Sequence, residues 1–170
     1  MGQRASRSAS SARKWLPVVA AIVFGGLPAA VCAQDAATKF EEQYQAEKDP
    51  VRGAKLLAKL APLQLGRARA YLQVDDEDPA VAVLEHYRDE VRQTTIALNS
   101  TGVSAKKHPA GFKELQIALR ESVRRLDDMI FSLPVDSRPK FEVVRSDLSA
   151  TESLLFETLF PTSGKSGKKE

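Results

Sequence analysis

The chain has 170 residues, of which 43% are hydrophobic, 28% charged and 6% aromatic. This suits one globular domain and excludes collagen-like, disulfide-rich and fully disordered classes. Lys and Arg number 25 against 22 acids, a net charge of +3, but the surplus is concentrated at the start of the chain.

Residues 1–14 hold Arg4, Arg7, Arg13 and Lys14 and no acid. An apolar run of about 13 residues follows, from Trp15 to Leu27, and then Pro28, Ala29, Ala30, Val31, Cys32 and Ala33. A positive start, a short apolar middle and a small-x-small end describe a secretory signal peptide, with cleavage expected after Ala33. The apolar run is well short of the roughly 20 residues a bilayer-spanning helix needs, so no transmembrane span is expected. Two rival readings stand beside this one. Lipid attachment at Cys32 would be the one route to membrane contact, but Val31 is a poor residue to precede it. An organelle transit peptide also starts basic and acid-poor, but the compact apolar core argues against it.

Loss of the leader removes four of the 25 basic residues and none of the 22 acids, so the remaining net charge is about −1. No basic excess is left for nucleic acid, and none is expected as a partner. The only Cys and the only Trp go with the leader. The rest of the chain then has no disulfide, no thiol nucleophile and no thiolate metal ligand. The expected organisation is a signal peptide over 1–33, a helical domain over 34–161 and a disordered basic tail over 162–170, exported to the periplasm or the extracellular space.

Past the leader the apolar residues recur with a helical period. A short helix is expected around Thr38–Lys48, with Phe40 and Tyr44 one turn apart. Beyond it, prolines stand at 50, 79, 109 and 139, spaced 29, 30 and 30. Proline is favoured at the first position of a helix, where its missing N–H is not needed. Asp49 and Asp78 precede two of them as N-cap candidates. Ser137 is a looser cap and His108 a poor one. The even spacing predicts equal helix lengths rather than a repeat, because a slide of 30 sets Leu84 against Glu114 and Val91 against Glu121.

The helix opened by Pro50 carries Leu56, Leu57, Leu60, Leu63 and Leu72, and Pro62 inside it predicts a kink or a split. The next presents Ala80, Leu84, Tyr87, Val91, Thr94 and Leu98, with Gly102 as terminator. The third has Phe112, Leu115, Leu119, Ser122, Leu126, Met129 and Leu133, a coiled-coil-like heptad spacing with one polar break. Val123 and Ile130 widen that stripe into a bundle core rather than a two-stranded seam. Glu121–Arg125 and Arg124–Asp128 are i,i+4 pairs on its outer face, and Pro134 ends it. The last helix shows Phe141, Val144, Leu148, Leu155 and Leu159 and stops before Pro161. The fold class is all-α: an antiparallel up-and-down bundle of four main helices plus a short N-terminal one.

Candidate chemistry is sparse. His86 and Glu90 are one turn apart and suit a shared divalent metal, but a site needs about three protein ligands. A solvated charged face is the simpler reading. Asp75, Asp76, Glu77 and Asp78 resemble a cation loop but lack its Gly and distal Glu, so helix-start acids that complement the dipole are simpler. Gly164-Lys165-Ser166 lacks the upstream Gly, strand and helix of a phosphate loop. No Gly-x-Ser-x-Gly elbow is present. No residue is assigned to catalysis or to a cofactor. Leu154, Leu155, Phe156, Leu159 and Phe160 cover more than half the circumference of the last helix, making Leu155, Phe156, Leu159 and Phe160 candidates for a partner or self-association surface. The expected role is an exported, non-enzymatic protein of the cell envelope acting through protein–protein contact or as a structural module. The alternative is a bundle that binds a small ligand or divalent metal.

Overall fold

A computed structural model describes the backbone of residues 29–161 and the side chains of 38–161. Residues 1–28 and 162–170 lie outside the described residues, and with them most of the expected signal peptide over 1–33 and the whole of the expected tail. Five helices follow in order: α1 (Ala29–Ala46), α2 (Pro50–Leu72), α3 (Glu77–Ser100), α4 (Phe112–Ser132) and α5 (Arg138–Leu159), with no strand among the described residues. The expected all-α bundle of four main helices and a shorter first one is the observed architecture.

The helix starts divide into two kinds. Pro50 opens α2, and the Asp49 carboxylate accepts the Arg52 N–H at 2.9 Å, as a capping residue should. Pro139 is the second residue of α5. The other two boundaries move. α3 begins at Glu77, so Asp78 and Pro79 sit inside its first turn and Asp76 takes the N-cap position without a side-chain bond. Proline is harmless there because first-turn N–H groups have no helical partner. Pro109 does not open α4. The chain makes a sharper entry at Gly111, whose N–H donates to the Glu114 carboxylate at 2.7 Å. Gly111 has φ +84, and a Cβ there would lie 3.1 Å from Leu98 Cδ2 and 3.2 Å from Val51 Cα. Three elements therefore converge on a position that only glycine fits.

Pro62 does not split α2, which runs unbroken from Pro50 to Leu72. Pro62 lies on the exposed face, where water can satisfy the carbonyl that loses its N–H partner. At the far end of α4, Arg138 donates its Nε to the Leu133 carbonyl at 3.0 Å and its Nη2 to the Phe131 carbonyl at 3.4 Å. A cation at a helix C-terminus complements the dipole and satisfies otherwise orphaned acceptors.

The core is built from the heptad positions read in the sequence. Ala80, Leu84, Tyr87, Val91 and Leu98 of α3, Phe112, Leu115, Leu119, Leu126 and Met129 of α4, and Phe141, Val144, Leu148, Leu155 and Leu159 of α5 are all buried. α2 contributes Leu57, Leu60 and Leu65, with Leu56, Leu63 and Leu72 half-buried. The polar break in the α4 stripe has a partner. Ser122 donates to the Ala118 carbonyl at 2.8 Å and lies 3.0 Å from the Tyr87 hydroxyl across the core. Burial pushes the Tyr87 phenol above its ordinary range, so this pair is a neutral hydrogen bond.

Consecutive main helices run antiparallel, yet the lateral order around the bundle is α2, α3, α5, α4, because α2 packs on α3 and α4 while α5 packs on α4 and α3. The α2–α3 and α4–α5 hairpins lie side by side, with α2 parallel to α4 and α3 parallel to α5. Residues at one level in the parallel pairs stand about 60 apart in sequence. Val51 meets Gly111, the Ser137 hydroxyl donates to Glu77, and Lys140 Nζ pairs with Asp78 at 3.2 Å. Two proline intervals of about 30 make that offset. α1 lies against the outer side of the α2–α3 hairpin.

Candidate functional site

Three of the buried polar residues, Gln64, Glu90 and Thr94, cluster where α1 crosses α2 and α3. Phe40 and Tyr44, one turn apart on α1, pack against the core and fix which side of α1 faces α3. The Tyr44 hydroxyl donates to the Glu90 carbonyl at 3.3 Å and lies 2.8 Å from the Thr94 hydroxyl. That anchoring brings the neighbouring Glu41 and Gln45 over the side chains of His86 and Glu90.

Glu90 is the centre of the cluster. It is buried, and its two carboxylate oxygens have different surroundings. Oε2 accepts the Gln64 amide from α2 at 2.9 Å, and Oε1 accepts the Gln45 amide from α1 at 3.3 Å. Oε1 also lies 3.4 Å from His86 Nε2, and Glu41 Oε1 lies 3.4 Å from the same nitrogen. Glu41, His86 and Glu90 form a group of three potential metal ligands whose donor atoms all lie within 4.8 Å. Burial is the main reason that the Glu90 carboxyl is pushed above its ordinary value; the Gln64 bond and the His86 charge pull it back in part.

That environment has a pH consequence. A carboxyl raised on folding binds its proton more tightly in the folded chain. Its stabilising contribution is therefore complete below the unfolded value of 4.5 and is lost as pH rises through the higher folded value. Glu90→Gln keeps the shape and removes the charge. In metal-free buffer it is expected to melt above the parent chain near pH 7, with the gap closing below about pH 4.5. Thermal melts followed by circular dichroism between pH 4 and 8 check this; a gap that is constant across the range contradicts it.

The sequence reading singled out His86 and Glu90, and the structure brings them together. It does not gather Asp75, Asp76 and Asp78 into a ligand set. Asp75 takes a positive φ of 57 in the α2–α3 turn, Asp76 is the N-cap of α3, and Asp78 is spent on Lys140. The three site residues the sequence reading missed are Glu41, Gln45 and Gln64. Gln64 left a trace, since a Gln between Leu63 and Leu65 on an apolar face must find a partner. Glu41 left only its adjacency to Phe40.

The apolar end of α5 divides differently from the expectation. Leu155 and Leu159 are core residues, so they are not available to a partner. Phe156 and Phe160 are 50% and 61% exposed, with ring centroids 5.1 Å apart, and Leu154 is exposed beside them. The i,i+4 ring pair is separated from the core stripe by the 100° step of the helix.

Compared with protein-family profiles, curated proteins and solved structures, the chain shows no significant match. No helix among the described residues is long and apolar enough to cross a membrane. Among the described residues, the chain is an all-helical bundle that carries a mixed imidazole–carboxylate cluster and an exposed aromatic pair at the end of its last helix.

Proposed function

We propose that the chain is an exported, non-enzymatic helical-bundle module of the cell envelope that works through protein–protein contact, using the exposed end of α5. The observation that carries this reading is the Phe156–Phe160 pair, two large rings left half or more in water on a helix whose opposite side is fully packed. Adjacent exposed aromatic side chains are enriched where proteins meet. Export rests on the leader pattern of residues 1–33. The absence of a catalytic role is supported by the employment of inward polar groups: Tyr87 with Ser122, and Gln116 with Glu152 at 2.6 Å, join helices to one another.

Light scattering coupled to size exclusion, together with crosslinking in intact cells, tests the proposal. The parent chain is expected to run as an oligomer or to crosslink reproducibly to one protein. The Phe156→Glu/Phe160→Glu double variant is expected to stay folded and lose that contact, since both positions are exposed. A monomer whose crosslinks are the same with and without the substitutions ends this reading.

A further inference from the structure

The Glu41–His86–Glu90 cluster has donor spacings that suit a coordination site. His86 Nε2 is 3.4 Å from each carboxylate oxygen. A good N–H···O bond is about 2.7–3.2 Å long, so both contacts are longer than a strong bond, and the single nitrogen is shared between two carboxylates. Donors held about 2.0–2.2 Å from a tetrahedral ion are separated by roughly 3.3–3.6 Å, so two edges of the donor triangle already have that length. The two carboxylates face each other with His86 between them, and among the described residues no Lys or Arg pairs with either one.

A second observation comes from α2. Gln64 is 5% exposed, its Nε2 holds Glu90 Oε2, and its own Oε1 is buried without a hydrogen-bond partner. A buried amide oxygen left unpaired is costly. That acceptor stays free on the same side chain whose amide nitrogen fixes the Glu90 carboxylate. Gln64 thus does what outer residues around metal ligands do. His86 is half exposed, which gives an ion a path from solvent.

We propose that Glu41, His86 and Glu90 bind a divalent transition-metal ion of the Zn2+ class, with Gln64 orienting Glu90 and solvent completing the coordination. One imidazole with two carboxylates suits this class; Ca2+ and Mg2+ prefer six or more oxygen ligands. The ligands come from α1 and α3, so the ion clasps the first helix onto the bundle. This proposal is independent of the α5 contact surface.

The test is Zn2+ titration of the full chain, purified without a histidine tag, by calorimetry, with Co2+ absorption as a spectroscopic substitute. One ion per chain and a melting temperature raised by several degrees are expected. His86→Gln and Glu41→Gln, both at partly exposed positions, should leave the helical spectrum intact and each weaken binding at least tenfold. Absence of stoichiometric Zn2+ or Co2+ binding overturns the proposal. So does binding retained in both variants, and loss in only one of them overturns the three-ligand assignment.

Discussion

Phe141→Ala is expected to destabilise the chain by about 3–5 kcal/mol, the range for removing a fully buried aromatic ring without collapse of the cavity. Phe141 has no exposed surface, near the start of α5, and is among the largest side chains sealed in the core. For a domain of this size the melting temperature should fall by more than about 10 °C. Phe131→Ala is the control. Phe131 is 84% exposed at the end of α4, and its loss should stay within about 0.5 kcal/mol. Urea unfolding followed at 222 nm separates the two; equal midpoints would mean that Phe141 is not a core residue.

Gly111→Ala is expected to cost about 2–4 kcal/mol, from two sources acting together. The backbone at φ +84 disfavours any side chain, by roughly 1–3 kcal/mol, and the new methyl meets Val51 Cα at 3.2 Å and Leu98 Cδ2 at 3.1 Å. The leucine end can rotate, but the start of α2 is backbone and cannot, so overpacking adds to the strain. Gly102→Ala isolates the first source: its φ is +67 but nothing lies within 4 Å of the added atom. A Gly111→Ala variant no less stable than Gly102→Ala would show that α2 and α4 do not touch at this level.

The core was legible because burial follows helical period. The main stripe residues of α3, α4 and α5 named from spacing are buried, Ser122 among them, while the flanking Val123 and Ile130 are half-buried. Helix starts were legible where a side chain does the capping, as at Asp49. They were not where tertiary contact decides. Gly111, not Pro109, begins α4 because Val51 and Leu98 crowd that corner, and nothing local to 108–112 announces neighbours from α2 and α3. Of the kink or split read at Pro62, the split does not occur, because periodicity does not say that its side of α2 meets water. The candidate site was half legible. His86 and Glu90 sit one turn apart on a single helix, which spacing reveals. Glu41 arrives from a helix some 45 residues earlier, through packing set by Phe40 and Tyr44. At the end of α5, spacing could not separate the exposed Phe156 and Phe160 from the inward Leu155 and Leu159.

The side-by-side placement of the two hairpins has a kinetic consequence. Within each hairpin, α2 with α3 and α4 with α5, contacts close over short loops, so each half can zip from local encounters. Every contact between the halves waits on the segment 101–111 to bring the second beside the first, a closure whose entropic cost grows only slowly with length. The topology predicts that docking of the two halves in matching orientation is the slow step of folding. On that expectation the chain assembles in the manner of a dimer whose subunits are tethered.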